Sequence, residues 1–216
     1  MSRPSAKIRI FIADDHPIVR QGLRRIVEAD AGAVVSGEAG DAPALLQALA
    51  TVATDLVLLD VSMPGGLFLE TLKTLRERHP TVRVLVLSVH PEEQWAVRAL
   101  RAGASGYLTK DHSSDQLLEA IQRVHRGGKY VSPALAERLA IHIHGDAQQA
   151  LHERLSDREF EVMRRLGSGL TVSQIAAEMS LSVKTVSTYR TRILEKMAMA
   201  TNADLVRYAS RYGLIT

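Results

Sequence analysis

The run Asp55-Leu-Val-Leu-Leu-Asp60 constrains the fold more than any other stretch of the chain. Its four consecutive apolar residues leave no polar face. As a strand it must be covered on both sides, which is the situation of an inner strand in a parallel sheet. A turn rich in Pro and Gly, Val61-Ser-Met-Pro-Gly-Gly66, follows at once. Asp60 therefore stands at the carboxyl end of an inner strand, where open α/β sheets hold their ligands. A lone Asp at such a place is more often a helix cap, so its companions decide the matter.

Four further apolar runs are strand-length: Lys7–Ala13, Ala33–Ala39, Val82–Ser88 and Gly106–Lys110. Amphipathic segments separate them. Ile18, Gly22, Leu23, Ile26 and Val27 repeat at helical spacing after the first run. Asp41-Ala-Pro43 reads as an N-cap with Pro in the first turn, ahead of Leu45, Leu46 and Leu49. Leu67, Leu69, Leu72 and Leu75 follow the third run, and Pro91 to Ala102 the fourth. Ser113-Ser-Asp-Gln116 has the form of a capping box, with Leu117, Leu118, Ile121 and Val124 behind it. Five strands alternating with five helices predict a doubly wound, five-stranded parallel sheet of the α/β class.

In that topology the ends of strands one, three, four and five converge. They carry Asp14 and Asp15, Asp60, Ser88 and Lys110. Three carboxylates in one crevice repel one another unless a hard cation neutralises them. Oxygen donors favour a divalent ion, with Mg²⁺ the simplest choice. Lys110 adds a point charge suited to a phosphoryl oxygen and Ser88 a hydroxyl.

This set, with Met63-Pro64 after Asp60 and Tyr107-Leu-Thr before Lys110, resembles the receiver domain of bacterial two-component response regulators, here residues 6–126. The resemblance implies a flavodoxin-like receiver in which Asp60 accepts a phosphoryl group from a sensor histidine kinase. It implies that Asp14, Asp15, Asp60 and the backbone carbonyl of Ser62 hold Mg²⁺. It also implies that Ser88 and Lys110 engage the phosphoryl group, and that Ser88 and Tyr107 take part in the conformational switch. One position departs from the pattern. Related receivers carry Gly eight residues after the phosphoacceptor, where this chain has Phe68. A rerouted loop or an exposed apolar contact would account for it.

Residues 127–150 read as a linker that starts at Gly127-Gly128 and includes a short helix with Leu135, Ala136 and Leu139. His142 and His144 in it are expected to be solvated, because a lone His-x-His lacks the third ligand of a zinc site. Residues 151–216 read as four helices, a small all-α domain. Ser156-Asp-Arg-Glu159 and Thr171-Val-Ser-Gln174 are capping boxes, and Ser182 caps the next helix. The last helix is predicted over Asp204 to Arg211. Val183, Val186, Ile193, Leu194 and Met197 should form one buried stripe. Charge supports a separate role for this half. Residues 1–150 hold 17 basic and 17 acidic side chains, whereas residues 151–216 hold 10 and 7. A basic excess focused on one segment points toward a polyanion.

Two short helices around a tight turn, the second exposing hydroxyls and cations, predict a helix-turn-helix. Leu155-Ser-Asp-Arg-Glu159, Ile175-Ala176 and Ser182-Val-Lys-Thr-Val-Ser-Thr-Tyr-Arg190 resemble the LuxR-type DNA-binding domain. With a receiver ahead of it, this is the NarL/FixJ layout. The resemblance implies binding of double-stranded DNA through Lys184, Thr185, Ser187, Thr188, Arg190, Thr191 and Arg192, with Lys184, Arg190 and Arg192 on the backbone and Ser187, Thr188 and Thr191 facing bases. It also implies a homodimer when phosphorylated, with residues 203–212 as the dimer surface. The absence of Cys fits a cytoplasmic setting, and no apolar run is long enough for a membrane span. The expectation is a regulator and not an enzyme. The alternatives are a Mg²⁺-dependent phosphohydrolase with an aspartyl-phosphate intermediate, or a receiver-linked protein-interaction module.

Overall fold

The computed structural model describes residues 7–89, 92–133, 135–137 and 150–215, with backbone alone at 93 and 94. Pro91, Leu139, His142 and His144 lie outside the described residues. The chain divides into two compact units, one ending at Ala136 and the other beginning at Glu137.

The first unit begins with β1 (Ile8–Ala13), α1 (Pro17–Ala29), β2 (Ala33–Ala39) and α2 (Ala42–Ala48). It continues through β3 (Leu56–Asp60), α3 (Phe68–Arg78), β4 (Arg83–Ser88), α4 (Glu92–Ala102), β5 (Gly106–Thr109) and α5 (Ser114–His125). The strands form one parallel sheet in the order β2-β1-β3-β4-β5. Every residue of β3 is buried, as its unbroken apolar run demands. Alternation along the strands divides the core in two. Ile10, Ile12, Leu56, Leu58, Leu85 and Leu87 pack with Leu23 and Val27 of α1 and Leu117, Ile121 and Val124 of α5. The opposite pleat, with Val57, Leu59, Val86 and Tyr107, is equally buried.

Local signals set the helix starts. Asp41 accepts from the N–H of Ala44 at 2.7 Å, and Ser113 and Gln116 form the expected reciprocal box. After Asp60 the loop relies on Gly65, whose φ of +81° suits glycine. A Cβ there would lie 2.6 Å from Pro43 Cδ, so the loop presses against the start of α2. Phe68 is therefore not an exposed contact. It opens α3, is buried, and meets Trp95 edge-on with ring centroids 5.4 Å apart. Beyond α5 the chain returns to the sheet. Tyr130 N–H donates to Ser105 O, and Tyr107 N–H donates to Tyr130 O, a single bridge beside β5.

From residue 150 on, the second unit has a 3₁₀ turn (Leu151–Arg154), followed by α6 (Asp157–Gly167), α7 (Val172–Glu178), α8 (Val183–Lys196) and α9 (Asn202–Arg211). Ser156 and Thr171 make their capping boxes and Ser182 caps α8. The final helix starts earlier than its apolar spacing suggests, because Thr201 and Asp204 form a fourth box. Phe160, Met163, Ile175, Val186, Ile193, Met197, Leu205 and Ala209 make the core. Leu194 is only half-buried, and Val183 is the exposed exception to the predicted stripe. It lies in the first turn of α8, is 52% exposed, and points away from the core.

Candidate functional site

The carboxyl ends of the strands bring Asp14, Asp60 and Lys110 into direct contact. Lys110 Nζ lies 2.6 Å from Asp14 Oδ2 and 2.9 Å from Asp60 Oδ1. Asp14 is buried at the end of β1 and Asp60 at the end of β3. Burial, above all, raises the Asp60 carboxyl above the ordinary aspartate range, although Lys110 opposes the shift. Burial pulls the Lys110 ammonium down, but its hydrogen bonds and charge pairing with the two acids outweigh that and hold it above its usual value. The site is a cation shared between two desolvated carboxylates.

The turns fix these carboxylates. Asp60 Oδ2 accepts from Ser62 N–H at 3.1 Å, Asp14 Oδ1 accepts from His16 N–H at 2.8 Å, and the Arg20 guanidinium donates to Asp14 O. Asp60 caps its own turn, eight residues before α3 begins, and Leu67 is the N-cap of α3, so the helix-cap alternative fails. Asp15 Oδ1 is buried without a hydrogen bond, although His16 Nδ1 lies 2.6 Å away. Carboxylate and ring atoms of Asp14, Asp15 and His16 lie within 4.8 Å of one another. His16 sits in the motif that drew attention to the two acids but was assigned no role from sequence. A buried carboxylate oxygen lacking a donor, beside the Asp14 carboxylate and the His16 ring, fits a divalent cation.

Ser88 is buried at the end of β4, and its carbonyl accepts from the Lys110 N–H at 2.7 Å. Tyr107 is fully buried in β5. A cavity of about 620 Å³ opens beside Lys110, bounded by Val89, Glu92, Thr109, His112 and Ser132. Glu92 and Ser132 are hydrogen-bonded, tying the start of α4 to the segment after α5.

In the second unit, α7 and α8 enclose the turn Met179-Ser-Leu181. Leu181 N–H donates to Ala176 O and Ser180 N–H to Ala177 O, with Ser180 at φ 53°, so a Schellman motif closes α7. On α8, Lys184, Ser187, Thr188, Thr191 and Arg192 are exposed. Thr188 and Thr191 donate their hydroxyls to Lys184 O and Ser187 O, which leaves their oxygens as outward acceptors. Thr185 bonds Ser182 at the cap. Arg190 differs from the rest of the set: it is half-buried, and its Nε donates to Asn202 Oδ1 at 2.7 Å, fastening α8 to α9.

These two assemblies define a response regulator, and the chain belongs to that family: residues 10–122 match the response regulator receiver domain, and residues 153–209 match the bacterial regulatory proteins of the luxR family, a LuxR-type DNA-binding domain. It is similar along nearly its whole length to the response regulator UvrY of Escherichia coli K12, at 34% identity over 96% of this chain and 95% of that one. It is likewise similar to the response regulator GacA of Pseudomonas aeruginosa, at 34% identity over 96% and 98%. Among solved structures, RcsB of Salmonella typhimurium superposes with a TM-score of 0.76 at 27% identity, covering 96% of this chain and 98% of that chain. RcsB of Salmonella enterica serovar Typhimurium bound to promoter rprA in the presence of the phosphomimetic BeF₃⁻ gives 0.72 at 26% identity, covering 94% and 98%. Among the described residues no helix is long and apolar enough to cross a membrane.

Proposed function

We propose that this regulator acts in the cytoplasm and is switched by phosphoryl transfer from a sensor histidine kinase to Asp60. The observation that carries the reading is Lys110 held between Asp14 and Asp60 at the end of the parallel sheet. An Asp60 carboxylate oxygen attacks phosphorus as the kinase's phosphohistidine N–P bond breaks. The Lys110 ammonium stabilises charge on the transferred group, and Ser88 offers its hydroxyl. Asp14, Asp15, Asp60 and the Ser62 carbonyl would hold Mg²⁺, which supplies further neutralisation of phosphoryl charge. The new charge draws on Lys110 and Ser88, and Tyr107, on β5 two residues before the Thr109 that pairs with Ser88, reports the change to the rest of the receiver.

The domain bounds we adopt are 6–126 for the receiver, 127–150 for the linker and 151–216 for the DNA-binding domain. The dimer formed on phosphorylation binds double-stranded DNA with α8 in the major groove. Lys184, Arg190 and Arg192 contact phosphates, while Thr185, Ser187, Thr188 and Thr191 line the interface. The RcsB–promoter complex supports this assignment by analogy. A phosphohydrolase is disfavoured, because Ser62 stands where an acid/base Asp would be needed two residues after the nucleophile.

The test is intact-mass analysis after incubation with Mg²⁺ and acetyl phosphate. Wild type should gain one phosphoryl group and Asp60→Asn none. Equal labelling of the variant would remove Asp60 from the role.

A further inference from the structure

At the opposite end of the sheet from Asp60 lies a second, unassigned cluster of charge. A cavity of about 330 Å³ opens between α3, α4 and the entries to β4 and β5. Arg76, Arg83 and Lys129 line it together with Ser105, and no acid is among its lining residues. Three other receiver arginines find carboxylates: Arg9 pairs with Asp55, Arg20 with Glu38, and Arg24 with Glu28 and Glu38. Among the described residues none of Arg76, Arg83 and Lys129 pairs with an acid. Two of the three cations are held in position. The Arg76 stem lies on Gly103, where a Cβ would come within 2.8 Å of Arg76 Cδ and where φ is +117°. Lys129 Nζ donates to Ala104 O at 2.6 Å. The lysine is also crowded: burial first, then the charges of Arg83 and Arg76, pull its ammonium below the usual range.

We propose that this basal cavity binds a small polyphosphorylated anion, a diphosphate or larger, through Arg76, Arg83 and Lys129. Two guanidinium forks can each take two phosphate oxygens, and the ammonium takes a third position. Three converging cations match the charge of a diphosphate better than that of a single phosphate. The bound anion would fix Lys129, whose neighbour Tyr130 is bridged to β5. The site therefore adds a small-molecule input at the point where the chain leaves the receiver, separate from the Asp60 site.

Titration calorimetry of the full chain with inorganic pyrophosphate, without divalent cations, tests this. The expected result is one site per chain, weakened at least tenfold in Arg83→Gln and in Lys129→Gln and unchanged in Arg25→Gln, at an exposed position of α1. Sulfate at matched ionic strength should not compete. Tryptophan fluorescence matching wild type would verify that each variant is folded, and Arg76→Gln replaces any that is not. Absence of saturable binding, full retention in the Arg83 and Lys129 variants, loss in Arg25→Gln, or equal competition by sulfate would overturn the proposal.

Discussion

Replacing Phe68 with Gly, the residue related receivers carry there, should destabilise this receiver substantially. Phe68 is 7% exposed and edge-on to Trp95. Removing a buried Phe ring costs about 3–5 kcal/mol when the cavity does not collapse. Of that, the edge-to-face pair accounts for about 1 kcal/mol. Position 68 is the first of α3, where the loop can relax into part of the space, so the lower end applies, about 3 kcal/mol. With a urea slope of roughly 2 kcal/mol/M, the midpoint should fall by about 1.5 M. Trp95 is the only tryptophan of the chain. Its fluorescence therefore follows the receiver alone, and urea titration of wild type, Phe68→Gly and Phe68→Leu needs no dissection of the chain. Phe68→Leu keeps most of the volume and should cost under about 1.5 kcal/mol. A Phe68→Gly receiver within 1 kcal/mol of wild type would refute the claim that the ring is a core residue. Acetyl phosphate labelling should survive in both variants, because neither touches the carboxylates.

Other expectations concern charge. Because the folded Asp60 pKa is raised, its contribution to stability is full below the ordinary aspartate value of about 3.9 and is lost as pH rises through the folded value. In chelator, Asp60→Asn should therefore be at least as stable as wild type at neutral pH and less pH-dependent above pH 4, by thermal melting; a less stable variant would refute this. Glu159, buried and held by Lys196 at 2.7 Å, has its pKa lowered despite burial, the largest single effect, because the bonds from Lys196 and Ser156 outweigh it. Its stabilisation is present above the usual Glu value and disappears as pH falls through the folded one. Lys196→Ala should cost about 1 kcal/mol at pH 7, discounted for the partly exposed lysine, and nothing once Glu159 is protonated. In DNA titrations, Lys184→Ala should reduce the salt slope by about 0.9 if that side chain neutralises one phosphate; an unchanged slope removes it from the backbone contacts.

The receiver was legible because its inner strands have no polar face to hide, and an unbroken apolar run fixes both burial and layer. The capping boxes at Ser113, Ser156 and Thr171 were equally readable, since the side chains that close them are three residues apart. The fourth box escaped notice because Asp204 stands where Glu or Gln is usual, which delayed the predicted start of α9. Val183 misled for a different reason: spacing describes a whole helix, while Val183 sits in the exposed first turn of α8. Topology brought Asp14, Asp60 and Lys110 to one edge, but the bond from the Lys110 ammonium to Asp14, 96 positions away in sequence, required coordinates. So did the fate of Phe68, since no local pattern pairs residue 68 with residue 95. Arg190 reads as another exposed cation until its bond to Asn202 is seen.

The bridge between Tyr130 and β5 bears on where this protein can be cut. A sheet edge offers unpaired amides and carbonyls to any passing strand. At β5 the chain beyond α5 occupies part of that edge itself, through Tyr107 and Ser105. A fragment ended at residue 126 keeps all five strands and all five helices but bares that edge to self-association. One ended past Tyr130 carries its own cover. Limited proteolysis between Gly127 and Tyr130 would have the same effect on the intact protein, leaving a receiver that is chemically complete yet prone to aggregate.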